Sequence, residues 1–371
     1  MFQSRIGDRI VENRVVTFAL SMLLALCPWS TILTAQTQNG TKQRSSSVFP
    51  IITFASDVGL GLGGKGIVKN QFQQDESFDL ILFGSNKGEQ WYAFTFSMPD
   101  FEIRQGKRYP LALDVKLEYD KILRSNFFGF GNEAKDNEHQ FPKESANLEL
   151  TLGHAFTARV VGELGFRHNH YSVYDFDPAW GTITAATPGA GESRVSLFSA
   201  RLRWDTRDSQ IHPHRGWRLL LASELAAKEL GSNWSFNKYR METSAYFSLW
   251  PNHILAGRFW AQQVSGSAPY PELSKIGDSW TVRGYKANRF VDQAMALTSL
   301  EYRYPAYKKL GGVLFGDAGH VWSDIWDIGI MGWHANWGLG LRYYLTNFVA
   351  RFDAGFSTEG MRVFVQFGQV F

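Results

Sequence analysis

Residues 348–356 read Phe348-Val349-Ala350-Arg351-Phe352-Asp353-Ala354-Gly355-Phe356. Successive side chains of a strand point to opposite faces, so Phe348, Ala350, Phe352, Ala354 and Phe356 make an oily face. Val349, Arg351, Asp353 and Gly355 make a largely polar one. The same split recurs where Phe198, Ala200, Leu202 and Trp204 alternate with Ser199, Arg201, Arg203 and Asp205. It returns where Trp217, Leu219 and Leu221 alternate with Arg218, Leu220 and Ala222, and where Trp337, Leu339, Leu341 and Tyr343 alternate with Gly338, Gly340, Arg342 and Tyr344. The dominant period from Phe49 onward is therefore that of strands.

Alternation alone does not say which solvent each face meets. Three further features do. Charged residues and glycines share one face while aromatics cap the apolar runs, as a polar lumen and interfacial aromatic girdles require. The predicted strands run about ten to thirteen residues, which suits a tilted crossing of the hydrocarbon layer. About sixteen strands are predicted between 49–56 and 361–371, and the long connections 123–143, 173–192 and 266–292 then fall on one side, with short turns such as Trp250-Pro251-Asn252 on the other. An even number closes the sheet and leaves no backbone donor unpaired in lipid. The expected class is all-β, a transmembrane antiparallel β-barrel.

Composition agrees. Of 371 residues, 15% are aromatic, 35 are glycine and 12 proline, a balance that suits many strands joined by turns. Mean hydropathy is −0.23, and beyond the N-terminus there is no apolar run of the roughly 18 residues a spanning helix needs. The 38 basic and 35 acidic residues are dispersed, with a formal charge of +3, so no charge block points to a nucleic acid. Arg5, Arg9 and Arg14 precede the apolar stretch Val15–Leu26, the order of an export signal. The expected organisation is a signal peptide over 1–36, a short periplasmic segment over 37–48 and an outer-membrane barrel over 49–371. The single cysteine, Cys27, falls in the export segment, and Leu26 before it is bulkier than a lipidation site accepts.

Several motifs that suggest chemistry do not develop into it. Gly59, Gly61 and Gly64 have dinucleotide-loop spacing, but Ile67, Val68 and Phe72 continue a strand where a helix would be needed. His168 with His170, and His212 with His214, could each donate to a metal, but neither pair has a third ligand nearby. No nucleophile elbow or zinc-protease helix is present. The expectation is a protein that is not an enzyme, with no metal and no cofactor. Val363, Val365, Phe367 and Phe371 share a predicted lipid-facing register in the final strand, a pattern resembling the C-terminal signal that marks barrel precursors for assembly. Gln369 breaks that register.

Thr281-Val282-Arg283-Gly284-Tyr285 resembles the VRG-aromatic motif of the BamA/TamA (bacterial surface antigen) family. Glu301 in Leu300-Glu301-Tyr302-Arg303 and the F-x-D-x-G run Phe315, Asp317, Gly319 continue the pattern. So do Asp205-Thr206-Arg207-Asp208 followed by Pro213, Arg215, Gly216 and Trp217, and the segment Phe127-Phe128-Gly129-Phe130-Gly131-Asn132. The resemblance covers essentially everything after residue 48. It implies that the long extracellular loop carrying Val282, Arg283, Gly284 and Tyr285 folds into the lumen, where Arg283 meets Glu301 and Asp317. The strand pattern independently turns both acids inward, and an arginine fork between two carboxylates is a specific, charge-assisted contact. The resemblance further implies insertion or translocation of polypeptides, with outer-membrane lipids and unfolded outer-membrane polypeptides as partners. A passive or gated pore for small solutes is the alternative. Members of the family that insert or translocate proteins usually carry periplasmic POTRA domains ahead of the barrel, and too few residues precede Phe49 for one. A stand-alone barrel is expected.

Overall fold

The computed structural model describes residues 44–371 apart from 56–58, 137–138, 175–183, 185 and 346–348. The expected signal peptide, residues 37–43 of the segment after it, and Phe348 lie outside the described residues.

The elements in chain order are β1 (Ser45–Ala55), β2 (Gly59–Lys69), β3 (Ser77–Ser85), β4 (Gln90–Met98), the helical turn α1 (Phe101–Arg104), β5 (Ala112–Phe127) and β6 (His139–Ala155). Then follow β7 (Val160–Val173), β8 (Gly191–Asp205), β9 (Gly216–Ala226), β10 (Ser235–Trp250), β11 (His253–Ser267), β12 (Ser274–Ile276) and β13 (Phe290–Asp292). The chain finishes with β14 (Ala294–Tyr307), β15 (Leu310–Trp322), β16 (His334–Tyr344), β17 (Val349–Ser357) and β18 (Gly360–Phe367). Sixteen of these strands form one closed antiparallel barrel in which β11 pairs with β14 and β18 with β1. β12 and β13 pair with each other inside the β11–β14 connection, and Val291 of β13 also bridges Gly131.

Burial is the inverse of a water-soluble domain. The largest fully buried side chains are headed by Arg283, Arg303, Arg342 and Arg351, while Leu62, Leu82, Leu152, Leu164, Leu300 and Trp337 are each more than half exposed. Such a surface is stable only against hydrocarbon, and the buried charges need partners inside. Exposed Trp204, Trp217, Trp250 and Tyr307 sit near strand ends on one rim, where amphipathic rings settle at a membrane interface. Among the described residues no helix is long and apolar enough to cross a membrane; the crossing is made by strands.

The strands depart from expectation in two places. β5 and β6 extend to Phe127 and back from His139, through a register shift between Ile122 and Ser125, so the connection is shorter than 123–143. β1 begins at Ser45 rather than Phe49. The connection 99–111 lies on the rim of the short turns, close to the expected 100–109, and its Arg104 forks onto Asp114 at 2.9 and 2.6 Å.

The end of the last strand corrects one expectation directly. β18 stops at Phe367 instead of running to Phe371. Val363, Val365 and Phe367 lie opposite Ala354, Phe352 and Ala350 and so share the oily face, but Phe371 does not. Gly368 adopts φ 90°, a left-handed conformation that glycine reaches without a Cβ penalty, and its N–H donates to Val349 O at 2.7 Å. The chain turns inward there. Phe371 packs with Tyr246, Ile254 and Ala256, and Arg303 lies 5.4 Å from its ring centroid.

Candidate functional site on the inner wall

The β11–β14 connection is a long excursion, and its placement is set by side chains on three barrel strands. Glu301 and Phe315 are directly paired across β14 and β15, as are Ser299 and Asp317; Asp317 in turn pairs with Asn336 of β16. Partners in an antiparallel pair share a face, so these residues form one polar patch on the side opposite exposed Leu300 and Leu314. Asp353 of β17 continues the patch, lying opposite Gly340 of β16.

Arg283 enters this patch fully buried. Its Nε and Nη2 donate to the two oxygens of Asp317 at 2.9 and 2.8 Å. Nη1 donates to Glu301 Oε1 at 2.6 Å and to Asp353 Oδ2 at 3.4 Å, and the guanidinium carbon stands 3.5 Å from the Phe315 ring centroid. One planar fork thus meets three carboxylates and an aromatic face, a set that the point charge of a lysine cannot reproduce. Burial alone would lower the Arg283 pKa, but Asp317 and Glu301 raise it above the ordinary arginine value, so the group is a permanent cation.

The rest of the motif packs around that fork. Val282 joins Ile276, Tyr285, Phe290, Met295, Leu297 and Val321 in a buried cluster. A Cβ on Gly284 would lie 2.5 Å from Asn336 Cβ, and one on Gly355 would lie 2.4 Å from Arg283 O, so both glycines permit the approach of loop to wall. A Cβ on Gly319 would meet Val282 Cγ2 at 2.9 Å. Tyr285 OH donates to Ala335 O at 3.4 Å. Every member of the two predicted motifs, Val282-Arg283-Gly284-Tyr285 and Phe315, Asp317, Gly319, is brought together here, with Glu301.

Sequence reasoning missed part of the network. Asp353 and Arg351 were visible on a polar strand face, but nothing in their spacing linked them to a loop 70 residues away. Arg303 Nε donates to Glu301 Oε2 at 2.8 Å, Arg342 Nη1 to Asp353 Oδ1 at 2.6 Å and Arg351 Nη1 to Ser279 O at 2.9 Å. The four arginines and three acids form one connected buried cluster. A second polar cluster holds the same connection several strands away. Glu272 accepts from Arg167 Nη2 at 3.0 Å to both oxygens, from Tyr171 OH at 2.6 Å, and from Lys238 Nζ. Burial would raise its pKa, yet Lys238 and Arg167 hold it well below the usual carboxylate range. No sequence motif marks this second cluster.

The histidine pairs are placed differently. His168 Nδ1 lies 2.8 Å from Ser196 Oγ, and the His212 ring stacks 4.1 Å from that of Tyr344. Among the described residues no group of three or more His, Cys, Asp or Glu is arranged to hold a metal ion. The glycine run 59–64 lies in β2.

Comparison with known proteins places this geometry. Over 203 residues the chain is 30% identical to the outer membrane protein assembly factor BamA of Nitratidesulfovibrio vulgaris, a match covering 49% of this chain and 25% of that protein. The chain therefore spans about a quarter of that relative's length. Among solved structures, BamA of Haemophilus ducreyi lacking POTRA domains 1–3 superposes with a TM-score of 0.63 at 14% identity, covering 95% of this chain and 78% of that one. CdiB of Escherichia coli superposes with a TM-score of 0.62 at 13% identity, covering 86% and 62%. Both share the fold. The family model of the Omp85 superfamily domain matches residues 75–367, and the chain accordingly belongs to the Omp85 superfamily, as a bacterial outer-membrane β-barrel.

Proposed function

We propose that this barrel aids insertion or translocation of polypeptides at the outer membrane, acting on unfolded outer-membrane polypeptides in contact with the surrounding lipids. The observation that carries the reading is the closing seam. β1 is matched to β2 along all 11 of its residues, whereas its described register with β18 is Phe54↔Val365 and Ala55↔Phe364. Pro50 in β1 has no N–H to give a ladder, and β18 ends at Phe367, where Gly368 turns away. On this reading the β1–β18 closure is where the backbone of an incoming strand pairs before it is released into lipid. On this reading the residue 268–293 connection is an extracellular loop acting as an internal plug, and Arg283 braces it against β14, β15 and β17. The mechanism is one of template and brace, requiring neither a cofactor nor a catalytic group.

The test is assisted folding. Purified barrel in liposomes is timed for insertion of an unfolded outer-membrane protein, beside empty vesicles, an Arg283→Ala variant and a Phe54→Cys/Val365→Cys variant cross-linked across the seam. Acceleration by the wild type that is lost on cross-linking and regained on reduction supports the proposal. Equal rates with wild type and empty vesicles refute it.

A second reading, a gated pore for small solutes, is favoured by a charged cavity of about 390 Å³ lined by β6–β10 residues. A bore already conducting in the wild type, with no assisted folding, would select it.

A further inference from the structure

The exposed apolar surface of the barrel continues past its strands. Leu300 of β14 is more than half exposed on the outer face, so Ala294, Ala296 and Thr298, at even spacing from it along the strand, lie on the same face. Ala294 and Ala296 are nevertheless fully buried. They are covered from outside: Trp322 of β15, opposite Ala294, packs on them with Ile325 and Trp333 of the β15–β16 connection and with Phe259 and Ala261 of β11. The Ile325 N–H donates to Gln263 Oε1 of β11 at 2.7 Å, and Gln263 is on the outer face because it pairs with Ala294. The connection therefore folds down over the outer wall instead of crossing the lumen. Met295 and Leu297, on the inner face, belong to the Val282 cluster, so this length of β14 is covered on both sides.

The connection has a fixed form. Trp333 Nε1 donates to Gly329 O at 2.7 Å, and Asp324 caps the helical turn Ile325–Asp327 by accepting from Trp326 N at 3.0 Å. That form leaves its other apolar side chains facing outward. Trp326 is 89% exposed, Ile330 94% and Met331 83%, and Ile328 is half exposed. Residues 323–333 include no lysine or arginine, and their acids are Asp324 and Asp327; Asp327 accepts from Ser323 Oγ at 3.3 Å.

Depth follows from the strand. Tyr302 of β14 packs near Trp250 at the rim of the short turns. From Tyr302 to Ala294 the strand climbs about 20 Å along the barrel axis, at a rise of about 3.4 Å per residue and a tilt of about 40°. The apolar band of such a barrel is about 25 Å tall. The connection thus lies in the upper part of that band, continuous with the lipid-facing surface of Leu300, Leu314 and Trp337.

We propose that the connection 323–333 is a lipid-inserting element whose partner is the acyl-chain region of the outer leaflet. Ile328, Ile330 and Met331 enter the acyl chains, the Trp326 indole settles at the interface, and Asp324 and Asp327 stay among the headgroups. With no cation in the element, attachment comes from apolar area and is independent of headgroup charge. It pins the outer side of β14 at the level where the Val282 cluster packs its inner side. The inference does not depend on the proposed insertion or translocation activity.

The experiment is fluorescence quenching of the full chain in phosphatidylcholine vesicles, in a Cys27→Ser background. Cys27 is the sole cysteine, so Ile330→Cys carries a single NBD fluorophore. Leu300→Cys on the lipid-facing wall and Glu229→Cys in the exposed connection before β10 are the references, and heat-modifiable gel mobility verifies that each variant is folded. Spin-labelled acyl chains should quench the fluorophore at 330 several-fold more than iodide present on both sides of the membrane, as at 300. A spin label near the headgroup should act more strongly at 330 than one near the chain terminus, and at 229 iodide should dominate. Adding Trp326→Ser/Ile328→Ser/Met331→Ser should shift position 330 toward iodide, which separates insertion by the loop from insertion by the fluorophore. Quenching should be the same in phosphatidylglycerol vesicles and at high salt. Iodide quenching at 330 equal to that at 229, an unchanged response in the serine variant, or a requirement for anionic lipid overturns the proposal. So does shielding of 330 from both quenchers, which would mean that protein, such as a second copy of the chain, covers the patch.

Discussion

Replacing Arg283 by alanine removes the cation from a fully buried cluster, and the consequences fall unequally on its three carboxylates. Glu301 keeps Arg303 at 2.8 Å and Arg342 at 3.6 Å. Asp353 keeps Arg342 at 2.6 Å and Arg351 at 3.3 Å. Among the described residues no other cation lies within salt-bridge distance of Asp317, whose remaining side-chain donor is Asn336 Nδ2 at 3.2 Å. Leaving one buried charge uncompensated costs about 3–5 kcal/mol, so the variant should lose that much barrel stability, a loss of roughly two orders of magnitude or more in the folded-to-unfolded ratio. Because the cost is concentrated on Asp317, an Arg283→Ala/Asp317→Asn double variant should recover a large part of it, whereas Arg283→Ala/Glu301→Gln should recover none and strand Arg303 as well. The assay is urea-dependent folding in lipid vesicles read by gel mobility and tryptophan fluorescence. Equal rescue by the two second-site changes, or an unchanged midpoint for Arg283→Ala, would show that the fork does not work as its distances indicate.

Two further perturbations test the close approach and the rim. Gly355→Ala inserts a Cβ 2.4 Å from Arg283 O, a clash with backbone that only movement of the loop relieves; the loop should become protease-sensitive while the barrel still folds, and unchanged cleavage would refute the approach. His212, in the turn between β8 and β9, is pushed from 6.5 down to about 4 by burial, with His214 and Arg303 adding repulsion. It binds fewer protons folded than unfolded, so its contribution to stability falls as pH drops from about 6.5 toward 4. His212→Gln should flatten that part of the stability profile, and a profile identical to wild type would show that His212 does not titrate in the fold.

The barrel was legible because its strands obey one local rule: a period of two, with oily and polar faces separated, as in Phe352 and Ala354 against Arg351 and Asp353. That rule placed most strand boundaries close to where they stand. It failed at Phe371, where extrapolating the register past Gly368 ignored the one residue free to turn the chain inward. The Arg283 contact was legible through a motif, since Glu301 and Asp317 also lay on inward faces. Asp353, Arg342 and Glu272 were not, because their roles depend on which strands meet around a closed ring and on where a long connection crosses it. A pattern of period two fixes the face of each residue but not its neighbours across the lumen.

The buried network also links the loop to the closing strand, and this coupling is open to measurement. Arg303 holds Glu301, which Arg283 shares, and its Nη2 donates to Phe371 O at 3.3 Å. Arg342 binds Asp353, another Arg283 partner, and its Nε donates to Gln369 Oε1 at 3.2 Å. The two residues that pin the inward-turned segment after β18 are therefore oriented by the acids that Arg283 occupies. Losing Arg283 frees those acids to draw Arg303 and Arg342 toward themselves, and the segment after Gly368 loses its donors. In Arg283→Ala, backbone hydrogen exchange should rise in residues 363–371 and in the loop, while β3 and β4, which contact none of these groups, keep wild-type protection. A rise confined to the loop would mean that wall and seam are independent; a uniform rise would mean general destabilisation. Only the selective pattern makes the arginine loop a device that senses, or sets, the state of the seam.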